Sequence, residues 1–219
     1  MTKTLVTLAD PRSPAAEAYR SLYINLSFSS QERPVRTLLV TSAGPEEGKS
    51  TTLANLAVVA AQMGRRVVVV DCDLRQPRQH ELFGLRNDQG VATVTAGQAS
   101  TAAVLQPVGE VPGLQVITSG PLPVSPAQVL ASRRMEEMIH ELAGQADLVL
   151  FDSPPAIAVS DASVLATKVD GVLLVLSAGQ TKRDHARRAK EALEKVHAHV
   201  VGAVLNNAPA DATLQGYYR

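Results

Sequence analysis

The sequence LLVTSAGPEEGKSTTLANLAVVA, residues 38–60, decides how the rest of the chain is interpreted. It begins with an apolar run, passes through a turn of small and acidic residues, and continues with small and apolar residues suited to a helix. The run Thr37–Thr41 does not alternate regularly between apolar and polar side chains, which is typical of a strand buried on both faces. We therefore expect a strand, a tight loop and a helix here.

The centre of this stretch closely resembles a P-loop, the motif G-x-x-x-x-G-K-[ST]. Gly48, Lys49 and Ser50 match the motif, whereas Ala43 stands in place of the first glycine and Gly44 follows it. Such a loop turns its backbone N–H groups and the next helix N-terminus toward one point, which a polyphosphate occupies. We expect Lys49 to reach the β and γ phosphates and the Ser50 hydroxyl to ligate Mg²⁺.

The other loop residues complete the predicted nucleotide-binding set: Gly44, Pro45, Glu46, Glu47 and Thr51. The two glutamates lie beside the predicted anion, so we expect them at the rim, facing solvent or a neighbouring subunit. The alternative interpretation is an ordinary glycine turn that caps a helix, but such a turn does not require a Lys-Ser pair after a strand.

Five more apolar runs follow at intervals that helices fill: Val67–Val70, Leu114–Thr118, Leu148–Phe151, Val172–Leu176 and Val200–Leu205. Buried strands that alternate with helices predict an α/β doubly wound fold with a mostly parallel sheet. No repeat or linker interrupts the pattern, so we expect one domain over residues 1–219.

Three helices are predicted in some detail. In the N-terminal extension, residues 1–35, Ser13 is the expected N-cap and Pro14 the first residue of an appended helix. Apolar spacing predicts a second helix from Pro126 through Leu142, with Gly144 as its C-cap. A third begins at Lys182; its basic residues indicate a solvated face or, alternatively, a docking surface for a partner's tail or acidic lipid.

Composition excludes several classes of protein. The 219 residues carry 21 basic and 21 acidic side chains, so no basic surface suited to coating nucleic acid is expected. A single cysteine, Cys72, forms no internal disulfide and suits a reducing compartment. No apolar stretch approaches the roughly 20 residues of a membrane span. We expect a cytoplasmic protein whose membrane contact is made only through a partner.

Three aspartates stand at predicted strand ends. Asp71 and Asp73 follow the second strand, and Asp152 follows the strand LVLF. Carboxyl ends of parallel strands line the ligand crevice of an open sheet, so these carboxylates should converge on the P-loop phosphates. Asp152 most resembles a Walker B carboxylate that holds Mg²⁺. Of Asp71 and Asp73, one is then left for a second metal contact or for accepting a proton from an attacking hydroxyl.

These motifs together resemble a known family. The loop SAGPEEGKST, the strand end DCDLR and the strand LVLFDSPP look like the Walker A, Walker A′ and Walker B motifs of bacterial tyrosine kinases. The resemblance runs from about Ser13 to Asn206 and places the chain among P-loop NTPases of the MinD/ParA-like subgroup. It implies a kinase that uses ATP and Mg²⁺, acts in capsule or exopolysaccharide synthesis, and is activated by a membrane protein of the polysaccharide-copolymerase type.

The resemblance also implies roles for single residues. Asp71 would accept the proton or face the phosphates, Asp73 and Asp152 would serve the metal together with Ser50, and Arg75 would lie near the phosphates or the substrate. Asn206 is implied to contact the adenine. The tyrosines Tyr217 and Tyr218, in a tail over residues 207–219, would be phosphorylated in trans within a ring whose subunits Glu17 and Arg20 help to join.

Two departures keep alternatives open. The tail offers only two tyrosines, so a frayed end without a role is one alternative, and a catalytically idle ATP-binding assembly factor is another. Tyr23 replaces the second arginine of the family's E-x-x-R-x-x-R motif, and Glu17 with Arg20 would then be a simple intrahelical pair. A MinD/ParA-type switch is disfavoured, because Gly44 occupies the place of its signature lysine.

Overall fold

In the computed structural model, which describes residues 5–29 and 35–209, seven strands of the described chain form one sheet. They are β1 (Thr37–Ser42), β2 (Val67–Asp71), β3 (Gln106–Pro107), β4 (Leu114–Ile117), β5 (Leu148–Asp152), β6 (Gly171–Ser177) and β7 (Val200–Asn206). Their order is β3-β4-β2-β5-β1-β6-β7. Every neighbouring pair is parallel except β3 and β4. The predicted doubly wound, mostly parallel sheet is confirmed.

Helices connect the strands on both faces. They are α1 (Val6–Ala9), α2 (Pro14–Ser29), α3 (Lys49–Gln62), α4 (Gln79–Phe83), α5 (Val91–Thr95), α6 (Thr101–Val104), α7 (Pro126–Ala131), α8 (Arg133–Gln145), α9 (Asp161–Ala166) and α10 (Arg183–Glu194). The appended helix α2 begins at Pro14 as predicted, and the Ser13 hydroxyl accepts a hydrogen bond from the Ala16 backbone N–H at 3.2 Å. None of the described helices is long and apolar enough to cross a bilayer.

The single helix predicted after Pro126 is wrong. Ser132 adopts extended backbone angles between α7 and α8, and its hydroxyl accepts a hydrogen bond from the Met135 N–H at 3.2 Å. A serine that satisfies a helix N-terminus in this way starts a new helix. Gly144 does not cap α8 either, because the helix continues to Gln145.

Alternate residues of the strands face two different cores. Leu38 and Val40 of β1 pack with α3 and α2, whereas Leu39 packs on the other face with residues of α5, α8 and α9. This alternation is the period-two geometry of a strand, and both faces are covered, which explains why the apolar runs do not alternate.

The centre of the sheet positions the site. β1 lies between β5 and β6, and the chain leaves β1 toward one side for β2 and returns to its other side for β6. Ligands bind at such a switch point, outside the carboxyl ends of the strands. The register pairs Asp71 with Asp152, so two of the three strand-end aspartates are direct neighbours across β2 and β5.

Candidate functional site

Gly48 ends the loop between β1 and α3 and is the N-cap of α3, with a φ of 88°. The backbone angle favours glycine, and a Cβ at this position would lie 2.1 Å from the Asn206 side-chain nitrogen and displace it. The first turn of α3 follows at once with Lys49 and Ser50, both buried. The predicted strand, loop and helix are thus in place, with the N-terminus of α3 open to the sheet's carboxyl edge.

Glu47 contradicts the prediction that both glutamates lie at the rim. Its side chain is buried, and its carboxylate accepts hydrogen bonds from the Ala43 N–H at 2.9 Å and from the Thr181 hydroxyl at 2.6 Å. Thr181 lies between β6 and α10. Glu47 therefore braces the loop from inside, whereas Glu46 is exposed with a φ of 59°, as predicted for a rim residue.

The rest of the predicted nucleotide-binding set surrounds this brace. Asn206, the last residue of β7, donates its side-chain N–H to the Glu47 carbonyl at 3.0 Å. It supports the loop, and its contact with adenine stays a prediction. Gly44 is buried, Pro45 is exposed and Thr51 is half-buried on α3.

Lys49 is the centre of a buried ionic cluster. Its ammonium group lies 2.8 Å from a carboxylate oxygen of Asp73 and 3.5 Å from Asp152 Oδ1, and it donates to the Ser50 hydroxyl at 3.0 Å. Burial alone would lower the pKa of Lys49, but the carboxylates of Asp152 and Asp73 outweigh it and raise that pKa. The ammonium group therefore stays charged within the protein.

The predicted role of Asp71, as a proton acceptor or a carboxylate facing the phosphates, stays a prediction. Asp71 is fully buried, and its Oδ2 accepts hydrogen bonds from the backbone N–H groups of Arg78 and Gln79, at 3.0 and 2.9 Å. Burial, and then repulsion by Asp152, raises the pKa of Asp71 from 3.8 to about 8. That pKa suits a proton acceptor. The hydrogen bonds, however, make Asp71 an anchor for the turn between β2 and α4, without the open oxygen expected of a catalytic base.

Asp73 and Asp152 fit a magnesium ion. Asp152 is fully buried, and its Oδ1 accepts no hydrogen bond from any described residue. The carboxylates of Asp73 and Asp152 share one ammonium group, so the cluster carries excess negative charge that a divalent cation would balance. Within residues 5–29 and 35–209 no three acidic, His or Cys side chains form a ready-made metal cage. Magnesium is usually bound by one or two carboxylates together with substrate phosphates, so this donor set suits it.

Gln79, which the sequence did not single out, joins these parts. It is fully buried at the start of α4, and its side-chain N–H group donates to Asp152 Oδ2 at 2.8 Å and to the Ser50 carbonyl at 3.2 Å. One residue thereby links the end of β5 to the first turn of α3. Its only sequence clue is its position shortly after the DCDLR strand end.

Arg75 makes a contact that the sequence did not predict. Its guanidinium group binds both carboxylate oxygens of Asp161, at 2.8 and 3.1 Å, and Asp161 is fully buried at the start of α9. The buried carboxylate needs this partner, because an unpaired buried charge is costly. A contact of Arg75 with phosphates or substrate stays a prediction.

The predicted subunit contact residues pair with each other. Arg20 lies 2.7 Å from Glu17 within α2 and also donates to the Pro11 carbonyl, which matches the intrahelical alternative. The Tyr23 hydroxyl accepts a hydrogen bond from Arg65 at 3.2 Å. Basic side chains of α10 form similar pairs, such as Lys190 with Glu194, as expected of a solvated face. Tyr217 and Tyr218 lie outside the described residues.

Comparison with known proteins places this geometry in context. The family model described as "ParA: NUBPL iron-transfer P-loop NTPase" matches residues 35–213. The septum site-determining protein MinD of Pyrococcus horikoshii, complexed with Mg-ADP, has a TM-score of 0.67 at 21% identity, covering 83% of this chain and 76% of that one. This second likeness shows the fold alone. The predicted ParA/MinD-like P-loop fold is confirmed.

Two closer likenesses concern kinases. Tyrosine-protein kinase YwqD of Bacillus subtilis (strain 168) is 40% identical over 219 residues, which cover all of this chain and 92% of that protein. The solved kinase domain of Escherichia coli tyrosine kinase ETK superimposes with a TM-score of 0.92 at 32% identity, covering 97% of this chain and 83% of that one. The strand-end aspartates and the P-loop therefore lie in a scaffold shared with proteins named as tyrosine kinases.

Proposed function

The chain belongs to the bacterial tyrosine-kinase family of P-loop NTPases, and from this premise we propose that it is an ATP-dependent protein-tyrosine kinase. The observation that carries the proposal is the cluster of Lys49 with Asp73 and Asp152 beside the P-loop. A cation, a hard-oxygen donor set and a helix N-terminus at one point are what transfer of a phosphoryl group requires.

The chain's own groups have defined tasks in this proposal. Loop amides and the N-terminus of α3 bind the ATP phosphates, and the Lys49 ammonium group stabilises charge on the transferred group. Ser50, Asp73 and Asp152 would hold Mg²⁺, which supplies charge neutralisation at the phosphates when bound. Positioning dominates this chemistry, because the transition state is loose and the protein forms no bond to the phosphorus.

When the tyrosine hydroxyl attacks the phosphorus, it releases a proton that a side chain must accept. We propose that one of the two carboxylates Asp71 and Asp73 accepts it. The raised pKa of Asp71 brings it near the working pH, and Asp73 lies beside it on the same strand end. For Asp71 to act directly, the turn that it anchors would have to move.

The acceptor tyrosines of the proposal are Tyr217 and Tyr218. A terminal segment is able to enter a neighbouring copy's site without disturbing the fold, so transfer in trans within a ring is the proposed arrangement. The proposed setting is the cytoplasmic face of a membrane, where a polysaccharide copolymerase-type protein activates the kinase and links it to capsule or exopolysaccharide synthesis. No nucleic acid takes part.

The test is phosphorylation of the full chain. Incubation with MgATP and a cognate membrane activator should add phosphate to Tyr217 or Tyr218, measured by intact mass and peptide mapping. Lys49→Met should abolish it, because the charge at the transferred group is lost. The matched control replaces both terminal tyrosines by Phe, and this variant should bind ATP as the wild type does.

Two outcomes would count against the proposal. ATP hydrolysis without any phosphotyrosine would indicate a nucleotide switch. Stoichiometric ATP binding with neither hydrolysis nor transfer, in the presence of the activator, would indicate an assembly factor that ATP only stabilises.

A further inference from the structure

Gln79 is buried and bonds to three residues of the proposed nucleotide site, Asp71, Ser50 and Asp152. It is fully buried although its side chain is polar, and its backbone N–H donates to Asp71 Oδ2 at 2.9 Å. Polar side chains rarely stay buried without a complete set of hydrogen bonds, because each unmet group costs about 1–3 kcal/mol. The role of this residue is therefore inferred from the contacts of its carboxamide group.

The nitrogen of that carboxamide group has two acceptors. It donates to Asp152 Oδ2 at 2.8 Å and to the Ser50 carbonyl oxygen at 3.2 Å. Both neighbours are acceptors, so the nitrogen must face them and the oxygen must face away. This arrangement fixes the rotation of the Asp152 carboxylate, because one of its two oxygens is held by the amide.

Two acceptor oxygens remain next to this contact. Gln79 Oε1 and Asp152 Oδ1 are buried, and neither accepts a hydrogen bond from the described part of the chain. The nearest cation to Asp152 Oδ1 is the Lys49 ammonium group at 3.5 Å. A buried carboxylate oxygen without a hydrogen-bond donor is suited to a hydrated cation, whose charge and water O–H groups meet its need.

We propose that Gln79 is a positioning residue of the magnesium site. Its amide nitrogen holds Asp152 Oδ2, which leaves Oδ1 for the ion or one of its waters. The proposal rests on the magnesium–nucleotide site proposed above and is independent of whether tyrosine is the acceptor. Partners that orient a metal-binding carboxylate typically contribute 10–100-fold to metal affinity.

The experiment compares ADP binding with and without magnesium, by calorimetry on the full chain. Gln79→Met keeps the side-chain length and removes both polar atoms. We expect the Mg²⁺ concentration that produces half of the gain in ADP affinity to rise about 10–100-fold. ADP affinity in EDTA should change less than threefold, because the loop amides and Lys49 are untouched. A purely structural role would not separate these two values.

The matched control is Gln76→Met, the same substitution at an exposed residue of the same turn, which should leave the Mg²⁺ midpoint within twofold. If Gln79→Met gives no cooperative urea transition, Gln79→Asn is used, since it keeps an amide that is too short to reach Asp152. An unchanged Mg²⁺ midpoint, or an equal loss of affinity in EDTA, overturns the proposal. If the ADP affinity of the wild type does not depend on Mg²⁺, both this proposal and the proposed magnesium site are wrong. Failure to phosphorylate tyrosine would not affect this proposal.

Discussion

The two ends of the sheet carry the same kinds of charged side chains in opposite surroundings. At the carboxyl end, 11% of the Lys49 side chain and none of Asp152 is exposed. At the amino end, 65% of Arg66 and 27% of Asp147 is exposed in an ion pair of 2.8 Å. Attraction between charges grows where water is excluded, and so does the cost of leaving one charge without its partner. Burial thus makes the first cluster a site and leaves the second a surface feature.

The cavities of the described chain do not mark the carboxyl end of the sheet. A cavity of about 340 Å³ lies at the amino end, between α2 and the starts of the strands, and is lined by residues that include Tyr23, Arg65 and Asp147. Its polar groups already have partners within the described chain: Arg65 donates to the Tyr23 hydroxyl, and Asp147 pairs with Arg66. At the carboxyl end, by contrast, the buried oxygens Gln79 Oε1 and Asp152 Oδ1 accept no hydrogen bond from the described residues, and the pKa of Asp71 is raised. Such features often accompany functional sites.

The largest effect should come from removing the buried cation. Lys49→Met leaves Asp73 and Asp152 without a counter-ion, and breaking a buried pair on one side costs about 3–5 kcal/mol of the free energy of unfolding. Urea unfolding at pH 8 measures this loss.

A double variant is the control for that result. Lys49→Met combined with Asp73→Asn removes one of the unpaired charges and should recover part of the lost stability. A loss below about 1 kcal/mol in the single variant would mean that the cluster is solvated like an exposed pair.

The next effect is a pH dependence that belongs to the buried end alone. The raised pKa of Asp71, about 8 against 3.8, means that the native protein holds this proton more tightly than the unfolded chain. The contribution to stability is therefore complete below about pH 4 and is lost as the pH rises through about 8. Asp71→Asn should remove about 2 kcal/mol of this decline between pH 6 and 7.5, measured by urea unfolding at half-unit steps.

An exposed aspartate serves as the comparison. Hydrogen bonds from Arg86 lower the pKa of Asp88, so its titration falls outside this window and Asp88→Asn should leave the profile unchanged. Parallel profiles for the wild type and Asp71→Asn would contradict the raised pKa.

Local pattern explains which features the sequence could predict. The strands, the P-loop and the aspartates at strand ends follow from short runs of residues whose spacing is set by backbone geometry. The break at Ser132 was missed because the amphipathic spacing continues across it. The brace of Glu47 by Thr181 and the contacts of Gln79 were missed because they join residues far apart in the chain, 134 apart for the first pair. Such contacts depend on how distant segments of the chain pack together, and the local spacing of apolar residues does not specify that.

That brace should have an intermediate effect. Thr181→Val removes a hydroxyl that donates to Glu47 and accepts from the Ser177 N–H, so a buried carboxylate oxygen and a backbone donor lose their partner. We expect a loss of about 1–3 kcal/mol in the free energy of unfolding, together with weaker ADP binding as the loop loosens. Thr181→Ser keeps the hydroxyl and should behave nearly as the wild type. Equal behaviour of the Val and Ser variants would show that the loop stands without the brace.

The smallest effect should come from the exposed pair at the amino end. Arg66→Met removes the guanidinium group from Asp147, yet the Arg66 backbone N–H still donates to that carboxylate at 2.9 Å and water reaches both side chains. Exposed pairs are screened by solvent and salt, so the urea midpoint should not move beyond its error. Measured beside Lys49→Met, this variant changes the same kind of contact at a similar distance and differs chiefly in burial. If the two lost comparable stability, distance alone would govern these pairs, and burial would no longer identify the carboxyl end as the working end of the sheet.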